Sequence, residues 1–195
     1  MDLNKFLSNA AEIAGHDSKD DHVVLSSRVR LARNVVGRAF PGRAKKADRV
    51  ETCGLIQPAV ASLSAMRGGY SESMANLKAL EKQLLVERHH ISREHAAKSA
   101  GSALVINKDQ TVCVMINEED HLRMQALMPG LQLKQVWQKI DRIDTSLEKK
   151  LEYAFDERLG YLTACPTNLG TGIRVSAMLH MPGLVLQEQV NQIVQ

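Results

Sequence analysis

Cysteine is scarce in this chain: three occur among 195 residues, Cys53, Cys113 and Cys165, and no two share a CxxC spacing. An odd and scattered set supports neither a disulfide framework nor a zinc site, and it fits a reducing compartment. No apolar run is long enough to cross a bilayer, and the opening Met1-Asp2-Leu3-Asn4-Lys5 carries no basic stretch ahead of an apolar core. The expectation is a cytoplasmic protein with no membrane partner. Net charge is small as well, since 25 basic residues against 22 acidic ones leave +3. Without a clustered basic stripe, that balance gives no reason to expect direct nucleic-acid binding. There is no internal repeat, low-complexity tract or linker. What is present is an ordinary globular composition, 44% hydrophobic and 24% charged, on a chain long enough to bury one substantial core.

The hydrophobic pattern mixes two periods. Leu3, Phe6, Leu7, Ala10, Ile13 and Ala14 recur at helical spacing before Gly15, which predicts a short N-terminal helix within residues 1–20. From His22 to Leu31 the pattern alternates, with Val23, Leu25, Ser27, Val29 and Leu31 on one face and Ser26, Arg28 and Arg30 on the other. Helices are predicted over about 47–66, bent at Pro58, and over about 74–88, with Gly68-Gly69 between them, and Ser92 is placed to cap a short helix through Ser99. Ala103 to Ile106 and Val112 to Ile116 read as a hairpin closed by Asn107-Lys108-Asp109-Gln110. A second alternating strand carries Leu122, Met124, Ala126 and Met128 against Arg123 on its other face. A long amphipathic helix follows over about 133–158, then strands at 161–164 and 173–179 around a loop, then a helix from Val185 through Val194. Strands in antiparallel order mixed with helices predict an α+β fold, an antiparallel sheet flanked by helices.

Four arginines, Arg28, Arg30, Arg123 and Arg174, are predicted on the face of the sheet turned from the core. A guanidinium keeps its charge and offers a planar fork of donors, so such a group suits a polyphosphate, and its internal repulsion calls for an anion. In Glu118-Glu119 the extended chain would send one carboxylate toward that face and the other toward the sheet edge or a metal's water, so a single carboxylate is expected to contact substrate. Cys165 precedes Pro166 and Thr167, whose hydroxyl, with Arg174 nearby, favours the ionised sulfur, whereas Cys53 and Cys113 fall in apolar patterns and read as core. Gly170 and Gly172 match neither the P-loop nor the dinucleotide fingerprint and read as residues of a tight loop. His89, His90 and His95 show no HExxH-like pair and read as surface or capping residues, so no protein-held metal is expected.

Val24-Leu25-Ser26-Ser27-Arg28-Val29-Arg30, Ile116-Asn117-Glu118-Glu119-Asp120-His121-Leu122-Arg123 and Cys165-Pro166-Thr167-Asn168-Leu169-Gly170-Thr171-Gly172-Ile173-Arg174 together resemble the ATP:guanido phosphotransferase family, in the family's order. The resemblance covers the chain from about Asp21 onward and is nearest to the bacterial protein-arginine kinases, because only about two dozen residues precede the serine-arginine strand where creatine and arginine kinases have a helical domain of roughly a hundred. It implies a guanidino kinase catalytic domain over 21–195 with ATP and Mg²⁺ as cofactors, the metal held mainly through the nucleotide. It implies nucleotide contacts from Ser26, Ser27, Arg28, Val29, Arg30, His89, Arg123, Arg174, Val175, Ser176, Ala177 and Met178. Glu119 matches the glutamate that holds and deprotonates the guanidino group, Cys165 matches the thiolate beside it, and Glu118 is the neighbouring catalytic carboxylate. The implied substrates are proteins bearing exposed arginine, with an activator protein and a Clp protease system as partners in stress response and protein quality control. The family continues past the Arg174 strand into another phosphate loop and a helical domain, so the catalytic domain is expected to be incomplete at its C-terminal end. A kinase of free arginine or another small guanidine, and a non-catalytic nucleotide-binding remnant, are the alternative expectations.

Overall fold

A computed structural model describes residues 3–8 and 23–194. Its centre is one six-stranded sheet, antiparallel at every pairing. In chain order the strands are β1 (Val24–Arg33), β2 (Tyr70–Ser73), β3 (Ala103–Ile106), β4 (Val112–Ile116), β5 (Leu122–Pro129) and, after a small ribbon of β6 (Phe155–Asp156) and β7 (Gly160–Tyr161), β8 (Ile173–Leu179). In space they run β2-β3-β4-β5-β1-β8. Seven helices accompany them among the described residues: α1 (Leu3–Ser8), α2 (Lys46–Ala61), α3 (Ala79–Glu87), α4 (Arg93–Ala96), α5 (Leu133–Glu148), α6 (Pro182–Leu186) and α7 (Val190–Val194).

Alternation along the strands gives the sheet two faces. Val29, Leu31, Val105, Val114, Met124 and Ala126 line one, where α2 brings Cys53, Ile56 and Val60, and α5 brings Val136, Ile140, Ile143 and Leu147. Those α5 positions recur at helical spacing, and burying each such aliphatic side chain contributes about 1.5–3 kcal/mol. The opposite face is divided. Over β2, β3 and β4 it is apolar, and Tyr70, Leu104, Ile106, Cys113 and Met115 pack under Leu3, Phe6 and Leu7 of α1 and Leu85 of α3. At the step from β4 to β5 the register sets Met115 beside Arg123, and from there across β1 and β8 the face is polar. This half of the sheet carries the candidate site.

Several expectations shift in the structure. Val23 and Leu25 are exposed while Val24 is buried, because an irregularity between Val24 and Ser26 in the pairing with β8 displaces the alternation at the start of β1. The helix predicted to begin near residue 74 starts at Ala79, where the Lys78 amide donates to Glu81, and Tyr70–Ser73 instead pairs with β3. Pro58 lies inside α2, which ends at Ala61 rather than continuing to 66. The long helix stops at Glu148 because tertiary pairing takes over its predicted last turns. Val36 donates to the Glu152 carbonyl, Ala154 donates to that of Asn34, and Tyr153 bridges Val35. The predicted strand at 161–164 is reduced to Gly160–Tyr161, and the predicted last helix is split into α6 and α7 at Glu188, whose φ is +55°. The predicted extension of the first helix beyond Ser8 lies outside the described residues.

Candidate functional site

Arg28 and Arg30 project from β1, Arg123 from β5 and Arg174 from β8, all on the polar half of the second face. Arg30 stands directly across from Arg174 on one side and from Gln125 on the other, and Arg28 lies across from Ser176, whose hydroxyl accepts from Arg28 Nε at 3.4 Å. Burial and then the charges of Arg123, Arg28 and Arg174 push the Arg30 guanidinium down to about 10, against one opposing influence from Glu118. Arg28 is lowered for the same reasons, burial first and then Arg123 and Arg174. Cations held this close on one surface form a site that gains from an anion.

The strands β4 and β5 are joined by residues 117–121, which bend instead of extending. Asn117, with φ +56°, anchors the bend: its side chain donates to the carbonyls of Arg49 and Gly101, at 2.9 and 2.7 Å. The two glutamates separate here as the sequence suggested, though the cause is a bend and not strand alternation. Glu118 turns inward, where one carboxylate oxygen accepts from Arg123 Nη1 and from Ser92 Oγ, each at 2.7 Å, and the other accepts from the Glu119 amide at 2.9 Å. Burial would raise its pKa, but the hydrogen bond and charge of Arg123, with Ser92 and the amide, outweigh that and hold it below the ordinary carboxylate value. Glu118 is thus engaged in fixing Arg123. Glu119 is exposed, and partial burial followed by the charges of Asp120 and Glu118 raises its pKa, the direction that suits a proton acceptor.

Cys165 lies half-exposed at the start of the single turn Pro166–Asn168, with its sulfur 3.0 Å from the Thr167 hydroxyl. Its loop is tied to the end of β1. Arg33 donates from Nη1 to the carbonyls of Ala32 and Thr171 and from Nη2 to Asp144, and its guanidinium lies 3.6 Å from the centre of the Tyr161 ring. Gly172 is required at this crossing: at φ +65° a Cβ would come within 2.6 Å of the Ala32 carbonyl oxygen and 2.7 Å of Arg33 Nη1.

The remaining sequence candidates divide by face. Ser26 and Met178 are paired across β1 and β8 beside the arginines, and His89 is held there through its carbonyl, which accepts from Gln125 Nε2 at 2.6 Å. Ser27 and Val29 point into the core instead. The Ser27 hydroxyl donates to the Gly130 carbonyl and accepts from the Gln132 amide at the start of α5, leaving only backbone toward the polar face. Val175 and Ala177 of β8 pair with Val29 and Ser27 and lie on the same side of the sheet, but both are exposed because β8 is the outermost strand. Cys53 and Cys113 are buried, and burial pushes Cys53 up to about 11 and Cys113 higher still. Sequence reasoning gave no site role to Ser92, Gln125, Asn34 or Asp120, because each acts through tertiary hydrogen bonds that no local spacing reports.

The four arginines on one sheet face offer fixed positive charge to an anion, and the exposed glutamate and the loop thiol stand on the two segments next to it. Residues 54–195 match the family described as ATP:guanido phosphotransferase, C-terminal catalytic domain, and the chain belongs to that family. Curated relatives include the protein-arginine kinase of Pelotomaculum thermopropionicum, 42% identical over 97% of this chain, and that of Geobacillus thermodenitrificans, 42% identical over 100% of it. The chain spans 54% of the length of each of them. Among solved structures, the duplicated taurocyamine kinase of Schistosoma mansoni with bound transition-state-analogue components superposes with a TM-score of 0.83 at 27% identity, over 99% of this chain and 28% of that one. A lombricine kinase gives 0.76 at 26% identity, over 98% and 60% of the two chains. No helix among the described residues is long and apolar enough to cross a membrane.

Proposed function

We propose that this chain forms the nucleotide-phosphate and guanidino-binding part of a protein-arginine kinase. The observation that carries the reading is the division of labour between adjacent glutamates: Glu118 is spent on orienting Arg123, while Glu119 stays exposed with a raised pKa. In the proposed reaction a guanidino nitrogen of the substrate arginine attacks the γ-phosphorus of ATP, the bond from that phosphorus to the β-bridging oxygen breaks, and ADP departs. The proton lost by the guanidinium passes to Glu119. Arg28, Arg30, Arg123 and Arg174 spread positive charge over the transferring oxygens, with Ser26, Ser176, Met178 and His89 around the nucleotide and the Ser27, Val29, Val175 and Ala177 backbone behind it. Such a transfer needs alignment and charge stabilisation more than covalent help. Cys165 acts as an anchor for the guanidinium and not as a phosphate acceptor.

The residues present fit Mg²⁺ carried by the nucleotide: the face offers cations for phosphate, and both Glu118 oxygens are occupied by protein donors. When bound with ATP, the ion supplies further neutralisation of phosphate charge. Protein arginine is favoured over a free guanidine as acceptor because relatives 42% identical bear the name protein-arginine kinase, whereas the taurocyamine and lombricine kinases are 26–30% identical. A cytoplasmic site of action, an activator protein, delivery of marked substrates to a Clp protease and a role in stress response belong to the same proposal and rest on the family resemblance. The test is incubation with Mg-ATP and either an arginine-rich protein or free arginine. Acid-labile phosphoarginine on the protein is the expected product; phosphorylation of free guanidines alone moves the reading to a small-guanidine kinase, and nucleotide binding without transfer moves it to a non-catalytic remnant.

A further inference from the structure

One carboxylate oxygen joins the two segments that bear the proposed guanidino-binding groups. Asp120 Oδ1 accepts from the Asn34 side-chain amide at 2.6 Å and from the Ala164 backbone amide at 2.7 Å. Asp120 directly follows Glu119, and Ala164 directly precedes Cys165. Asn34 completes the junction, since its Nδ2 also donates to the Leu162 carbonyl at 3.0 Å and its Oδ1 accepts from the His121 amide at 2.9 Å. Asn34 and Asp120 are both buried, at 1% and 2% exposure. The base of the junction is stiff: Val35 donates its amide to His121 Nδ1 at 3.1 Å, which leaves Nε2 to donate to the Ala39 carbonyl at 3.0 Å. A single side chain thus bonds the Glu119 bend and the approach to Cys165 together, in a place too buried for water to substitute.

We propose that Asn34 is a positioning residue for phosphoryl transfer, acting through Asp120 to hold Glu119 and Cys165 at the spacing a planar guanidinium requires. The proposal rests on the reading of those two groups given above. The side-chain hydrogen bonds of Asn34 go to Asp120, Leu162 and His121 and not to the nucleotide-facing arginines or Glu118, so it controls the relation of the two guanidino-binding groups and leaves the phosphate side alone.

The experiment compares the wild-type chain with Asn34→Ala, and with Asn34→Ser as a milder variant, by amide hydrogen exchange, Cys165 alkylation and kinetics. Exchange at Ala164 and His121 should accelerate at least about tenfold while that at Val105 and Val114 in the sheet centre stays at the wild-type rate. The rate of Cys165 alkylation, which needs no turnover, should change by at least about threefold. In turnover, kcat should fall at least about tenfold with ATP affinity unchanged, and the same substitution in a Cys165→Ser background should cost less than about twofold. Equal losses in the two backgrounds would mean that Asn34 acts independently of Cys165, and unchanged exchange at Ala164 with unchanged alkylation would mean that it holds nothing in place; either overturns the proposal. A wild-type chain that transfers no phosphoryl group to any guanidine removes the proposed function instead, and the exchange and alkylation results still decide the tie.

Discussion

Arg30 faces Arg174 directly across the pairing of β1 with β8, two guanidinium groups side by side on one face of a sheet. Like charges in that relation are destabilising, and the cost is accepted where a ligand of opposite charge is to be bound. With Arg28 and Arg123 close by, the folded protein carries a repulsion that a bound anion would relieve.

Replacing Arg30 by Gln should therefore stabilise the nucleotide-free protein and weaken nucleotide binding. The Arg30 pKa is lowered from the ordinary guanidinium value to about 10, so the folded state disfavours its charged form. The cost is fully present at neutral pH and is relieved only as pH rises through about 10 toward the ordinary guanidinium range. Because the group is half-exposed, solvent screening reduces the effect to the order of 1 kcal/mol, or about 2–4 °C in Tm. ATP affinity should drop at least about tenfold. A calorimetric scan and a nucleotide titration measure both, and a lower Tm in the variant would show that the repulsion is not felt.

Acid stability should depend on Glu118. Its folded pKa lies below the ordinary 4.5, so its contribution is present above that value and is lost as pH falls through the depressed one. Glu118→Gln removes the partner of Arg123 from an environment where the carboxylate side chain is 2% and the arginine 23% exposed. A loss of about 1–3 kcal/mol at pH 7 is expected, with a weaker dependence of stability on pH below 4.5 than in the wild type. Denaturant midpoints at pH 7 and pH 3.5 test this, and a difference between wild type and variant that is the same at both values contradicts it.

Glu119→Gln should abolish transfer while ATP binding stays nearly intact, since the change removes the proton acceptor and spares the arginines. The raised pKa of Glu119 means that it is protonated at higher pH than an ordinary carboxylate, so wild-type kcat should fall on the acid side as that group takes up its proton. Any residual rate in Glu119→Gln should be without that limb. Loss of nucleotide affinity in proportion to the rate would remove Glu119 from the acceptor side of the site.

The arginine face was legible from period-two alternation because Arg28, Arg30, Arg123 and Arg174 all belong to regular strands, where alternation fixes direction. The α+β architecture followed from the same signal. Tyr70–Ser73 escaped notice since a four-residue edge strand with one aromatic has no alternation to read, and its identity comes from pairing with β3. The last turns predicted for α5 failed for a related reason: residues 152–154 have helical neighbours in sequence but find backbone partners at the end of β1. In the site, adjacency alone suggested that Glu118 and Glu119 diverge, yet which one turns inward depends on Ser92, 26 residues away, and on Arg123. The Asn34–Asp120 junction spans 86 residues and left no mark in local pattern.

Cys165 provides the sharpest contrast among the three thiols. Burial pushes Cys53 up to about 11 and Cys113 further, and both belong to the hydrophobic clusters on opposite faces of the sheet. Cys165 is half-exposed, with the Thr167 hydroxyl 3.0 Å from its sulfur. Iodoacetamide at pH 8 should label Cys165 well ahead of the other two, because the thiolate is the reacting species and access is open at this one position. Mg-ATP together with an arginine-bearing substrate should slow that labelling if the sulfur lies against the guanidinium, whereas ATP alone should slow it less. Cys165→Ser should retain a measurable rate, reduced by about 10–1,000-fold, because a hydroxyl fills the place without the charge that aligns a cationic acceptor. Complete loss of transfer together with a phosphocysteine recovered from the wild type would instead mean a covalent route, and labelling unaffected by both substrates would place Cys165 outside the acceptor pocket, leaving Glu119 as its remaining anionic group.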